Sequence, residues 1–288
     1  MSKVAVLTDS ACDLPVALQE KYKIDILPFL ITVDGKGYVE REDFTPEEYY
    51  DILTKCTAIP STAQITMMRF GEQYAKYDAA GYTDVIYIGI NAGASGTFNA
   101  ATMAIANFKE EFPASKMRIH LVDSHTYSMT YGREVCEAAR KLQNGAEVAD
   151  VLTYLETRFA CLEVALSVFT LKFVKKSGRV SAAAAFAGEL LGLRPIISMI
   201  DGTTATAAKV RGDANVMPAL VAYVKKRMQP SSTYQIGTTD MENGKMLAKL
   251  CKKEFGIAPE NIFLLGAAVA TNTGPNAVAI VFDGASRR

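Results

Sequence analysis

The chain has 288 residues, with 31 Lys+Arg against 31 Asp+Glu, 49% hydrophobic and 22% charged residues. That balance is ordinary for a globular protein and supplies no basic face for nucleic acid or for an anionic membrane. Five scattered cysteines (Cys12, Cys56, Cys136, Cys161, Cys251) form no CxxC pair, so they read as reduced cytoplasmic thiols rather than as a disulfide framework or a zinc site.

The length suits two domains or one large α/β domain with a substantial core. The apolar run in MSKVAVLTDS is too short for a signal peptide, and residues 262–270 are too few to span a bilayer. A buried strand is predicted over 4–8, followed by a helix near Asp13 with Pro15 in its first turn. Residues 24–33 form a second strand-like run, which Asp34-Gly35 turns toward Tyr38-Val39 as a hairpin. Thr45-Pro46-Glu47-Glu48 opens a helix with a cap, a proline and two acids that suit the dipole. A further helix over 70–80 stops at Gly81.

A strand at 85–90, a helix from Thr97 to residue 112, a strand at 118–122 and helices at 131–142 and 147–159 come next. Alternation of this length implies βαβ units and a parallel sheet. The second half changes rhythm, with strands at 164–170, 195–200, 203–207, 234–238, 262–265 and 277–282. Asp201-Gly202 turns one pair directly, and helices fall near 182–191, 214–228 and 243–254. This α+β pattern places a domain boundary near residue 160, giving an N-terminal lobe over 1–160 and a C-terminal lobe over 161–288. With no repeat or flexible linker, the lobes are expected to pack tightly.

The stretch NAGASGTFNAA (91–101) bares its backbone where a strand gives way to a helix. Ligands of open α/β sheets bind at such places, and helix N–H groups with the macrodipole favour an anion there. Ser95 can equally cap its helix, and the two roles are compatible. A nucleophile elbow would need Gly-x-Ser-x-Gly, whereas Gly96 follows Ser95 at once and Thr97 takes the later glycine's place. Of the two histidines, His120 falls in a strand and His125 in a strand-end loop, so a serine esterase built on Ser95 and His125 is one rival reading, and a binding protein for another small anion is the other. No GxxxxGK[ST] and no GxGxxG occurs, so no nucleotide cofactor is implied. Asp9, Asp13 and Asp123 read as caps rather than as metal ligands, and no metal is expected.

TDSACDLP (8–15), PSTAQIT (60–66), GASGTFNAA (93–101), VDSHTYSMTYG (122–132), KKSGRVS (175–181), KVR (209–211) and TGP (273–275) occur in the order seen in the DegV family, which the chain resembles over nearly its whole length. That family comprises fatty-acid-binding subunits of bacterial fatty acid kinases. The resemblance implies a two-domain α/β fold, with an N-terminal parallel α/β/α lobe and a C-terminal α+β lobe. It also implies a long acyl chain such as palmitate between the lobes, with its carboxylate on Thr62 and Ser95 beside Gly96 and Thr97. A separate kinase would then phosphorylate the bound acid, leaving this chain a non-catalytic carrier. Burying a sixteen-carbon tail gains on the order of 10 kcal/mol at about 0.8 kcal/mol per CH₂, so affinity is expected to live in the tail and orientation in the hydroxyls. An association cost offsets much of that gain.

Departures from the pattern fall at Ala63 and Ile65, where the family usually has Ser and Pro, and at Asn272, where it usually has His. Asp213 stands where a basic residue often follows KVR; Arg211 and Arg179 are the expected kinase contacts. The small-residue run 182–188 and Met67-Met68 suit close core packing as well as an acyl tail.

Overall fold

The computed structural model describes residues 3–180 and 192–287, and its strands form three sheets. The expected helix near 182–191, with its small residues, lies outside the described residues. At the centre of the first half is β1 (Val4–Asp9), buried along nearly all its length. It lies in a four-stranded parallel sheet of order β2-β1-β6-β7, with β2 at Asp25–Leu27, β6 at Asp84–Gly89 and β7 at Arg118–Asp123. Parallel neighbours need crossovers. Helix α1 (Val16–Tyr22) returns the chain from β1 to β2, and α4 (Thr97–Glu111) returns it from β6 to β7.

The run at 24–33 is not one strand. Residues 25–27 stay with β1, while β3 (Leu30–Val33) leaves for a separate antiparallel sheet with β4 (Lys36–Val39) and β5 (Ser61–Ala63). Pro28 sits at the parting, where a residue without an N–H cannot continue a ladder. The β3–β4 hairpin turns on Asp34 and Gly35, with φ of 48° and 82°, as a two-residue turn with both φ positive requires. Helix α2 (Pro46–Lys55) carries the expected start: Glu48 N–H donates to Thr45 Oγ1 at 3.2 Å, and Thr45 N–H donates to the Glu48 carboxylate at 2.8 Å. Helix α3 (Met67–Ala79) follows β5.

Helices α5 (Met129–Gln143) and α6 (Val148–Phe159) lead to a six-stranded sheet of order β10-β9-β8-β13-β11-β12. Its strands are β8 (Leu162–Val168), β9 (Leu193–Ile200), β10 (Thr203–Arg211), β11 (Tyr234–Thr238), β12 (Ile262–Leu264) and β13 (Ala277–Asp283), and only the β11–β12 pair is parallel. Between them stand α7 (Lys172–Ser177), α8 (Val216–Lys225), α9 (Met241–Phe255) and α10 (Ala267–Thr273). The sheet is covered on both sides. Ala165, Ile196, Val278 and Ile280 pack with Leu220 and Val224 of α8 and Leu247 of α9. Their neighbours one residue away, Val164, Leu166, Ile197, Ala279 and Val281, join the core of the N-terminal half. Among the described residues no helix is long and apolar enough to cross a membrane.

An ion-pair group also ties the halves together. The Arg158 guanidinium of α6 reaches Glu134 of α5 at 3.3 Å and Asp283 at the end of β13 at 2.9 Å. Glu134 is 1% exposed and also accepts from the Tyr154 hydroxyl. Removing the cation strands a buried charge, which costs more than the pair itself contributes. We predict that Arg158→Met lowers the unfolding free energy by about 3 kcal/mol. Glu134→Gln should cost clearly less, because no charge is stranded. Urea unfolding of the two variants checks the order, and equal losses would refute it.

Candidate functional site

A cavity of about 270 Å³ lies between the halves, near the lower end of the range for small-molecule pockets. One wall is the inner face of the six-stranded sheet, where Val164, Leu166, Ala279 and Val281 project by the alternation described above. Phe263 of β12 and Met199 of β9 extend it. The facing side is built from the loops beyond the carboxyl ends of β6 and β7, from β5 and from α10. Those segments contribute Thr62, Ser95, Gly96, Tyr127, Ser128 and Asn272, so the cavity is apolar on the sheet and polar opposite it.

Thr62 is placed by β5, which pairs antiparallel with β3 through Ile31↔Thr62. Three residues on, the Ile65 N–H donates to Thr97 Oγ1 at 3.2 Å. A proline at 65 could not make that bond, so the departure at Ile65 adds a tie between β5 and the start of α4. Ser95 sits in the loop that leads to α4. Its hydroxyl donates to Thr97 Oγ1 at 2.9 Å and accepts the Thr97 N–H at 3.3 Å. The helix cap is therefore Gly96, not Ser95, with φ −66° and ψ −2°. The exposed Gln64 side chain packs its amide over Gly96, where a Cβ would make it shift. Thr97 is fully buried and does not line the cavity. It supports Ser95 from behind rather than facing a ligand. The positive end of the α4 dipole opens at Gly96, which suits an anion beside Ser95.

Asn272 reaches the cavity from α10. Its amide donates to the Ala268 carbonyl one turn back at 2.8 Å, so its hydrogen bond goes to the helix and not to the Thr273-Gly274-Pro275 turn. Arg179 lines the cavity from its exposed rim, with Nη1 donating to the Ser177 carbonyl at 2.7 Å. Arg211 ends β10 on the exposed surface and does not line the cavity. Asp213 lies 2.8 Å from Arg194 as an ion pair, so its charge has a partner within the chain. Met67 and Met68 stay outside the cavity, Met68 being 67% exposed.

Ser128 and Tyr127 were not among the expected site residues. Ser128 has φ 60° and ψ −154°, a region that glycine normally occupies. Its hydroxyl donates to the half-buried Asp13 carboxylate. Burial pushes the Asp13 carboxyl well above the usual range, and the nearby Glu40 charge adds to the rise. Glu40 in turn accepts from the Ser10 hydroxyl at 2.5 Å and from the Ala268 N–H at 2.8 Å, which fixes the start of α10. Burial raises the Tyr127 phenol, against a bond from the Asn91 amide that lowers it.

The esterase pairing has no geometry behind it. His125 lies in a separate outer groove with His120 and Asp123, its Nδ1 3.3 Å from the Asp123 carboxylate. Among the described residues no imidazole lines the Ser95 cavity. His120 meets Asp84 at 2.9 Å. Asp9 accepts from the Tyr87 and Tyr131 hydroxyls at 2.8 and 2.6 Å, and Asp123 accepts from the Ala92 and His125 N–H groups at 3.1 and 2.9 Å. These acids hold loops. Among the described residues no group of three or more His, Cys, Asp or Glu is arranged to hold a metal ion.

The chain is similar to a DegV domain-containing protein of Clostridium perfringens, 28% identical over 282 residues that cover 97% of this chain and 98% of that one. It is 27% identical over 285 residues to a fatty acid-binding protein of Thermotoga maritima, with 96% of each chain covered. A Thermus thermophilus DegV family protein, solved in a study of its fatty acid binding, superposes with a TM-score of 0.82 at 27% identity, covering 98% of this chain and all of that one. The family model described as "Uncharacterised protein, DegV family" matches residues 3–284, and the chain belongs to the DegV family.

Proposed function

We propose that this chain binds a long-chain fatty acid and presents its carboxylate to a separate kinase for acyl-phosphate formation. One observation carries the binding part: a single cavity joins an apolar sheet face to hydroxyls and a helix N-terminus. The tail would lie along Val164, Leu166, Ala279 and Val281, and the carboxylate at Thr62, Ser95 and Asn272 beside Gly96. The Thermotoga maritima and Thermus thermophilus relatives, described as binding fatty acids, support the ligand class. The kinase part rests on the resemblance and on the lack of a nucleotide motif in the sequence. Arg179 at the cavity rim and exposed Arg211 are its proposed contacts, with the ATP-dependent step in the cytoplasm. In the same reading, residues 1–160 and 161–288 are the two lobes that grip the ligand.

Two hydroxyl bonds to an ionised carboxylate set the size of the mutational effects. Thr62→Ala and Ser95→Ala should each weaken acid binding by about 1–3 kcal/mol with the fold intact. A fatty alcohol of the same length should lose less, because only the carboxylate makes charge-assisted bonds. Calorimetric titration with both ligands decides this, and equal losses for acid and alcohol would move the head group elsewhere.

Asn272 can donate but carries no charge. Asn272→His should therefore tighten acid binding, more at pH 6 than at pH 8, since an unperturbed imidazole gains its charge below about pH 6.5. An affinity unchanged at both pH values would place residue 272 out of the carboxylate's reach. For the kinase step, ATP with this chain alone should yield no acyl phosphate, and addition of a DegV-partner kinase should yield it. Product without a kinase would refute the division of labour.

A further inference from the structure

The loop that carries Ser95 is not held by its own half alone. Asn91, 3% exposed, follows β6 by two residues, and its side chain works in three directions. Its amide donates to the Gly202 carbonyl at 2.9 Å and to the Tyr127 hydroxyl at 3.0 Å, while its Oδ1 accepts the Gly93 N–H at 3.1 Å. The three partners agree on the orientation of the amide, since one is an N–H donor and another a carbonyl acceptor.

Gly202 belongs to the turn between β9 and β10 of the six-stranded sheet, 111 residues away in the chain. Its own N–H donates to the His125 carbonyl at 2.8 Å, so the turn is pinned to the loops after both β6 and β7. Gly202 has φ 74°, and a Cβ there would lie 2.9 Å from the Asn91 Oδ1. The fit leaves room for glycine and for the asparagine amide together. Tyr127, the other acceptor, lines the cavity beside Ser95 and Ala94.

We propose that Asn91 is a positioning residue that clamps the Ser95 loop to the β9–β10 turn and thereby sets how fast a bound fatty acid leaves. The proposal rests on the fatty-acid reading of the cavity for its second half and on the geometry alone for its first. Asn91 touches no ligand in this scheme. It joins the two sides of the cavity at the polar end, where separation of the halves would free the head group. A buried side chain with three partners is costly to replace by one that cannot donate.

Asn91→Ala and the near-isosteric Asn91→Asp separate the possibilities, since Asp keeps the bond from Gly93 but cannot donate to Gly202. Amide hydrogen exchange of the ligand-free full chain is read first. In both variants the turn loses the bond from Asn91 to the Gly202 carbonyl, so the Gly202 N–H, still bonded to the His125 carbonyl, should open and exchange about tenfold faster, while core amides of β6 and β13 are unchanged. Release of stearic acid to an albumin acceptor should then quicken about tenfold. Affinity should fall more for stearic acid than for octadecanol, because Ser95 is displaced. Unchanged exchange at Gly202 in both variants would overturn the clamp. Loosened exchange with unchanged release, or equal losses for acid and alcohol, would overturn its role in holding the head group. If the wild-type chain takes up no stearic acid, the fatty-acid reading falls instead, and exchange at Gly202 still decides the clamp.

Discussion

A strand points successive side chains to opposite faces, so a sheet covered on both sides needs apolar residues on both faces. In the six-stranded sheet that demand splits into two jobs. The Ala165–Val278–Ile280 face is closed by α8 and α9 and behaves as an ordinary core. The Val164–Leu166–Ala279–Val281 face packs toward the parallel sheet's half, and part of it is left as the wall of a cavity. Everything proposed for function follows from that second face. It supplies apolar area without polar groups, and the loops beyond β6 and β7 supply the hydrogen-bond donors opposite.

The polar side is held by hydrogen bonds more than by charge. Ser95 leans on Thr97, Thr97 on Ile65, and Ile65 on the strand that carries Thr62. Behind Ser128 and α10 lie the carboxyls of Asp13 and Glu40, whose ionisation desolvation disfavours. Burial disfavours negative charge on those two carboxyls, while the positive end of the α4 dipole favours it on a ligand head group. In the proposed reading, orientation then belongs to the hydroxyls and affinity to the tail.

Much of this was legible in the residues. The Asp34-Gly35 turn, the Thr45–Glu48 capping box, the parallel β1 and β6 and the loop holding Ser95 all follow from local chemistry that tertiary packing does not override. Other features depend on distant partners. The split at Pro28 needed knowledge that residues 30–33 had another sheet to join, and the three-residue β5 carries too little periodicity to read. Helix α10 hides in a run whose apolar residues fit strand and helix equally. Thr97 looked like a ligand contact because a motif records proximity but not which way a side chain turns. Ser128 left no local trace of its strained backbone, since only Asp13, 115 residues away, shows what holds it. Asn91 opens the NAGASGTFNAA stretch, yet its partner, Gly202, is reached only through the fold.

The central claim is that the cavity between the sheet face and the Ser95 loop holds a long acyl chain by its carboxylate. Solvent extraction of the purified full chain, followed by mass spectrometry, tests it most directly. The account predicts release of a C14–C18 fatty acid, or thermal stabilisation when one is added to the emptied protein. A chain that yields no lipid and is stabilised by no acid of that length would contradict it.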